Sequence, residues 1–248
     1  YIDALSDNQF FASSYSRKTK LDESQLLNSE GTKWEFFGVL GFRKHFGDVL
    51  IFSTNSDDQI SKVDIHIGEE SWTYAFPDGE KVQGDIYLYE DILIVPLTAG
   101  QMLNNKNYLQ GIDVNTGKEI WKKESYFFYL QQNSQTGLLY GFAGEKYQVI
   151  HPITGNKLVD KEFSGLKGEK KLQVYQGMSR LYGNGLYFIS DYVENHYDCQ
   201  FGKINTDTHE IEFIQKMDVV EGVKVDPPIY HKGRLYIKDN LGTLHIFE

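Results

Sequence analysis

The stretch IDVNTGKEIW, residues 112–121, has the pattern of two short strands joined by a tight polar turn. Its centre combines Asp113, Asn115, Thr116 and Gly117, which are residue types that favour turns. The pattern recurs as VDIHIGEESW (63–72), IHPITGNKLV (150–159), INTDTHEIEF (204–213) and, in part, LHIFE (244–248). A second β-rich run precedes each copy, so each unit is predicted to form about four antiparallel strands.

The spacing of the copies predicts the fold. They begin 49, 38, 54 and 40 residues apart, and four-stranded units of about this length are typical of propeller blades. We therefore predict an all-β protein, a single five-bladed β-propeller over residues 31–248. Segment 31–36 (GTKWEF) is predicted to pair with the last blade and close the ring, because closure covers exposed strand edges. Residues 1–30 are predicted to form an N-terminal arm with a short helix near 22–27.

The unit resembles the repeats of the PQQ-like (quinoprotein-type) β-propeller superfamily. The matching residues are Asp113, Thr116, Gly117, Lys118 and Trp121, with Asp64, Gly68 and Trp72 in an earlier copy. The resemblance implies a propeller over about residues 32–248. Enzymatic members of that family use a calcium-bound quinone and often a disulfide between adjacent cysteines, which the single Cys199 cannot form. These departures indicate a non-enzymatic member without a cofactor.

The net charge and the sequence motifs of the chain argue against several classes of function. The chain carries 35 acidic and 25 basic residues, a formal charge of −10, whereas a nucleic-acid-binding protein needs a basic face. No apolar run approaches the roughly 18 residues of a membrane span. The seven histidines have no metal-ligand spacing, and no nucleophile motif is present, so no metal site and no catalytic residue is predicted. A cytoplasmic monomer is expected.

The recurring aromatic residue at the end of the unit is predicted to pack between blades. Trp34, Trp72 and Trp121 occupy equivalent positions, which favours a packing role over a ligand-stacking role. The Asp113 turn is likewise predicted to be held by local hydrogen bonds and not by calcium.

A partner-binding surface is predicted on the side of the sheets that carries the connections between second and third strands. Those connections, at 53–59, 97–107 and 191–200, are predicted to be long irregular loops, and binding residues concentrate in loops held by a rigid scaffold. The predicted partner-binding residues are Asp57, Asp58, Tyr192, Glu194, His196, Tyr197 and Asp198.

These features predict a non-catalytic protein that binds another protein, most specifically an acidic immunity protein that neutralises a basic toxin domain. One alternative is a glycan- or quinone-processing enzyme, with Asp48, Asp91 and Asp191 as candidate carboxylates. A sugar-binding lectin is a further alternative.

Overall fold

The structure is a computed structural model. It describes the backbone of residues 2–6, 9–16, 21–28, 31–38, 40–54, 56–77, 79–100, 106–163, 172–192, 195–219 and 223–248. Side chains are described within these ranges except at 2–28, 32–43, 54, 191–192 and 195–198.

The strands form antiparallel meanders, in which each strand pairs with the next along the chain. The first sheet contains β1 (Ile2–Ser6), β2 (Gln9–Ser16), β3 (Leu21–Asn28) and β4 (Gly31–Gly38). The second sheet contains β5 (Leu40–Phe46), β6 (Val49–Thr54), β7 (Gln59–Asp64) and β8 (Glu70–Ala75). The third sheet contains β9 (Glu80–Val82), β10 (Tyr87–Tyr89), β11 (Ile92–Ala99), β12 (Lys106–Asp113) and β13 (Glu119–Ser125), with β9 and β10 both paired to β11.

The second half of the chain continues the same arrangement. The fourth sheet contains β14 (Gln131–Gln132), β15 (Leu139–Ala143), β16 (Lys146–Ile150) and β17 (Lys157–Glu162). The fifth sheet contains β18 (Leu172–Tyr182), β19 (Gly185–Tyr192), β20 (Asn195–Asn205) and β21 (Glu210–Lys216). The sixth sheet contains β22 (Ile229–His231), β23 (Arg234–Lys238) and β24 (Leu244–Phe247). The first three sheets belong to one compact unit, Tyr1–Phe128, and the last three to a second, Tyr129–Glu248.

The predicted all-β class is confirmed, since the described residues form six sheets and no helix. The five units predicted from the repeat correspond to the second to sixth sheets, and residues 2–38 add the first. The blade count of five is therefore not supported by the described sheets.

The N-terminal residues differ most from the prediction. Residues 1–30, expected to be an arm, contain β1, β2 and β3, and the helix near 22–27 is wrong because β3 runs through that segment. Strand β4 pairs with β3, from Asn28 opposite Gly31 to Asp22 opposite Gly38, and does not complete the last sheet as predicted. Phe10, Phe11 and Tyr15 favour strands, although this segment lacks the repeated turn motif.

The turn between third and fourth strands is built alike in the second to fifth sheets. In the third sheet, the Asp113 carboxylate accepts hydrogen bonds from the backbone N–H groups of Asn115 (3.0 Å) and Thr116 (2.7 Å). The Gly117 N–H donates to the Asp113 carbonyl at 2.8 Å, and Gly117 has a φ of 70°. The corresponding side-chain acceptors in the other copies are Asp64, His151 and Asn205. The prediction of a locally hydrogen-bonded turn is confirmed.

Directly after this turn, the pairing of third and fourth strands shifts by one residue. The shift falls at the same place in the first to fifth sheets and is a β-bulge or equivalent irregularity. The first pair beyond the shift, counted away from the turn, contains a fourth-strand residue that is Trp34, Trp72, Trp121, Val159 and Phe213 in the first to fifth sheets, respectively. The sequence alignment of the copies therefore corresponds to one structural register.

Trp72 shows how this aromatic position joins neighbouring sheets. Its indole N–H donates to the Val114 carbonyl of the third sheet at 2.8 Å. A Cβ atom added to Gly117 would lie 2.7 Å from the Trp72 ring, so the ring lies directly on the turn glycine. The predicted packing role is confirmed for Trp72.

Apolar side chains from neighbouring sheets form the core in each unit. In the first unit, one cluster contains Ile51, Ile60, Phe76, Val82, Ile86, Leu93, Val95, Leu97 and Ile112. In the second unit, one cluster contains Tyr140, Phe142, Tyr147, Val149, Phe163, Leu172, Val174, Leu186, Phe188 and Ile204. A further cluster contains Tyr187, Ile189, Cys199, Phe201, Met217, Leu235 and Ile237.

We expect Asp113→Asn to remove part of the acid sensitivity of the fold. The hydrogen bond from the Thr116 backbone N–H is the largest cause that holds the pKa of Asp113 below its usual value. A lowered folded-state pKa contributes stability above the unfolded value of about 3.9, and this contribution is lost as the pH falls through the folded pKa. Asparagine keeps an acceptor oxygen but does not titrate. Urea unfolding between about pH 6 and pH 3 should show the wild type losing its advantage over the variant, and a constant difference would contradict this account.

Gly111→Ala should destabilise the third sheet by overpacking. Gly111 pairs with Trp121, and an added Cβ would collide with the indole ring. We expect the free energy of unfolding to fall by about 1–3 kcal/mol in a denaturant titration. In a Trp121→Leu background the same substitution should cost clearly less, and an equal cost in both backgrounds would show that the indole is not the cause.

Candidate functional site

The connections at the two ends of the strands differ in every sheet, and each end is called a side below. Turns between first and second strands and between third and fourth strands lie on one side, here called the short-turn side. Connections between second and third strands lie on the opposite side, here called the long-connection side, which is where the partner-binding residues were predicted.

Asp57 and Asp58 lie on the long-connection side, in the turn between β6 and β7. The Asp57 carbonyl accepts a hydrogen bond from the Val82 N–H at 2.7 Å, and the Asp58 carbonyl accepts one from the Phe76 N–H at 2.8 Å. The Ser53 hydroxyl lies 2.9 Å from the Asp57 carboxylate and donates to it. The segment that leads into the third sheet thus fixes the backbone of this acidic turn, and the Asp58 side chain is exposed.

The connections themselves are shorter than the sequence predicted. Strand β11 continues to Ala99 and β12 begins at Lys106, so most of 97–107 is strand or lies outside the described residues. Strands β19 and β20 likewise extend over most of 191–200. The long irregular loop predicted there is a hairpin of β19 and β20, and the tyrosines at 192 and 197 are of a residue type that favours strands.

The remaining predicted site residues lie in or beside this hairpin. Tyr192 ends β19 and pairs with Asn195, the first residue of β20. The predicted residues in β20 are His196, Tyr197 and Asp198. Glu194 lies outside the described residues, as do the side chains of the other four, so their partner-binding role stays a prediction.

The three carboxylates considered for an enzyme do not share one side of their sheets. Asp48 and Asp91 lie in short turns that precede the second strands β6 and β11, whereas Asp191 lies near the far end of β19. Asp91 also braces the neighbouring turn, because its carbonyl accepts from the Val114 N–H at 2.8 Å and its carboxylate from the Asn115 amide at 3.2 Å. Asp91 therefore has a structural role in the third sheet.

The described side chains contain no cluster of metal-ligating residues. Among them, no group of three His, Cys, Asp or Glu residues is placed to hold a metal ion. Cys199 is buried, with its Sγ 3.9 Å from the Met217 Sδ. None of the described segments forms a helix with the length and hydrophobicity of a membrane span.

A cleft that the sequence analysis missed lies on the short-turn side of the second unit. It has a volume of about 460 Å³ and lies between the fourth and fifth sheets. Its polar lining includes Asn133, Gln135, Thr136, Asn184, Thr206, Asp207 and His209. Its apolar lining comprises Leu138, Tyr140, Val149, Leu158 and Val159. The sequence signal was the histidine at the position where other copies of the turn have glycine.

Burial affects the ionisable groups of this cleft. Burial raises the pKa of Tyr140, and the nearby Asp207 charge raises it further. Burial lowers the pKa of His209, and the positive charge of Lys161 adds to that effect. The lysine ammonium donates to the His209 carbonyl at 2.9 Å. His209 is therefore neutral at pH 7, and Tyr140 keeps its hydroxyl proton.

Comparison with known proteins places the chain by its fold. No family model matches the sequence, and no curated protein matches it. Among solved structures, BamB from Moraxella catarrhalis is 13% identical with a TM-score of 0.59, over 99% of this chain and 81% of that chain. A europium-containing methanol dehydrogenase is 12% identical with a TM-score of 0.57, over 87% of this chain and 50% of that one.

A quinohemoprotein alcohol dehydrogenase from Comamonas testosteroni has a TM-score of 0.57 at 9% identity, over 86% of this chain and 42% of that chain. The chain thus spans half or less of the length of the two dehydrogenases. The likeness shows that the chain shares a β-propeller-type fold with these proteins, as the repeat predicted. Because both dehydrogenases and BamB have this fold, the function has to be argued from the chain's own surfaces.

The acidic turn should tolerate substitution unequally at its two aspartates. Asp57 has a φ of 58°, in the left-handed region that asparagine adopts readily, whereas the Asp58 backbone is not in that region. We expect Asp57→Leu to cost about 1–2 kcal/mol of stability and Asp57→Asn far less. Asp58→Leu serves as the matched control in urea unfolding, and an equal cost at both positions would show that backbone strain is not the cause.

Proposed function

We propose that this chain is a non-catalytic β-propeller protein that binds a basic partner protein through its long-connection side. The observation that carries the proposal is the acidic turn at Asp57 and Asp58. Two backbone hydrogen bonds, from Val82 and Phe76, hold the turn, and Ser53 holds the Asp57 carboxylate. A rigid loop loses little conformational entropy on binding, so its charges contribute efficiently to recognition.

The charge of the whole chain supports a basic partner. The formal charge of −10 creates a negative field that attracts a positively charged protein and speeds its capture. The corresponding connection of the fifth sheet contains the predicted acidic residues Glu194 and Asp198, and its predicted residues Tyr192, His196 and Tyr197 are aromatic types suited to protein contacts.

The most specific form of the proposal is an immunity protein that covers a basic toxin domain, such as a nuclease. A nuclease needs a basic surface to bind phosphates, and an acidic protein that covers this surface blocks access to the nucleic acid. The chain would act by occlusion and not by chemistry, which requires no catalytic residue.

We expect charge reversal at Asp58 to weaken partner capture. Wild type, Asp58→Lys and the control Glu124→Lys are used in parallel as baits for lysate of the native host, with elution by a salt gradient and identification by mass spectrometry. Glu124 is an exposed acid on β13, so its reversal changes the net charge equally. Wild type and control should retain one basic protein near stoichiometry, and Asp58→Lys should retain less of it and release it at lower salt.

Two outcomes would contradict the proposal. Equal capture by all three baits would show that the acidic turn is not part of the interface. Capture of no basic protein would show that the chain has no basic partner in that lysate. Co-expression of the captured protein with this chain then tests the immunity form. Growth inhibition that this chain relieves supports it, and unrelieved inhibition or none at all overturns it.

A further inference from the structure

The cleft between the fourth and fifth sheets contains a histidine in an unusual backbone position. His209 occupies the fifth position of the repeated turn, where the second, third and fourth sheets have Gly68, Gly117 and Gly155. The φ angles of these glycines are 74°, 70° and 65°, and His209 adopts 58°. A side chain at such an angle is strained relative to glycine, and strain of this kind concentrates at functional sites.

The His209 ring is oriented by a buried tyrosine. The Tyr147 hydroxyl lies 3.0 Å from the Nδ1 atom of His209, and Tyr147 is completely buried. Burial raises the pKa of Tyr147, so its hydroxyl keeps a proton that needs an acceptor. Nδ1 is the ring atom within hydrogen-bond distance of that hydroxyl, so we assign it as the acceptor and place the proton of the neutral ring on Nε2. His209 lines the cleft, and Nε2–H is the hydrogen-bond donor that its ring has left for a ligand.

Acceptor groups lie beside this donor. The exposed Asp207 carboxylate lines the cleft and accepts a hydrogen bond from the Asn184 amide at 3.3 Å. The Asn184 carbonyl in turn accepts from the Thr206 N–H at 2.9 Å, so the turn between β18 and β19 braces the turn that carries Asp207. Gln135 and Thr136, which belong to the fourth sheet's first turn, also line the cleft.

The balance of charge and apolar surface indicates the class of ligand. No lysine or arginine is among the described residues that line the cleft, and Asp207 is the one acidic residue there. An anion would meet a carboxylate without a compensating cation. A sugar presents hydroxyl groups that both donate and accept and CH faces that pack on apolar side chains, which matches donors and acceptors beside Leu138, Tyr140 and Val159.

We propose that this cleft binds a neutral polyhydroxylated small molecule of mono- or disaccharide size. His209 Nε2–H donates to one ligand hydroxyl, Asp207 accepts from another, and the apolar lining contacts the sugar face. The volume of about 460 Å³ lies in the range of small-molecule sites. The site lies on the short-turn side of the fourth and fifth sheets, at the other end of the strands from the hairpin of β19 and β20.

The test measures binding of sucrose, trehalose, maltose, lactose and cellobiose by NMR shift perturbation and calorimetry. We expect at least one to bind with shifts at 133–136, 183–184 and 206–209. His209→Asn should weaken that binding at least tenfold, because asparagine adopts the same φ but lacks Nε2. The matched control is His151→Asn, the same exchange at the first position of a repeated turn and outside the cleft lining.

Asp207→Asn is a second variant that tests the cleft. If His209→Asn unfolds, Asp207→Asn on the same wall replaces it, and it should weaken the neutral sugar and improve binding of glucuronate relative to wild type. Absence of binding by all five sugars to folded wild type overturns the proposal. Binding that His209→Asn and Asp207→Asn leave unchanged, or shifts confined to other residues, also overturns it.

Discussion

The hydrogen-bonded turn between third and fourth strands is the constraint on which the second to fifth sheets depend. In the third sheet, the Asp113 carboxylate satisfies two N–H groups that the tight reversal would otherwise leave unpaired. The one-residue register shift that follows sets which fourth-strand side chains face the neighbouring sheet. That register brings Trp72 onto Gly117, so one local turn connects backbone reversal to the packing between sheets.

The same turns divide the surface of each sheet into two sides with different chemistry. On the short-turn side, backbone N–H groups are satisfied internally by Asp or Asn side chains, and neighbouring turns brace each other, as Asn184 does for Thr206. This rigid side can hold a small ligand in a fixed cleft. On the long-connection side, charged groups such as Asp58 project from supported turns, and this arrangement suits a larger partner.

Much of the fold was predictable because the turn leaves a local signature. Within the ten residues 112–121, Asp113 begins the turn, Gly117 allows the chain to reverse, and Trp121 lies on the fourth strand. The weaker copy that ends at Phe213 has the same register. The strands of residues 2–28 lack that signature, so the sequence pattern did not show which of these segments pair with each other. The extent of β19 and β20 was missed because polar residues such as Asn195 and Asp198 are typical of loops in isolation.

The cleft could not be located from the sequence because its lining comes from two sheets and three turns, whereas its marker in the sequence is a single departure from the repeat. A repeat provides its own reference: three copies place glycine where the backbone requires a positive φ, and one places His209. Glycine would relieve the strain, so retention of an imidazole there needs a compensating interaction. The Tyr147 hydroxyl supplies part of that compensation and also fixes the ring proton on Nε2, because a buried O–H must have an acceptor. The proposed role of His209 as a hydrogen-bond donor to a ligand in the cleft would account for the backbone strain, the tautomer and the lining together.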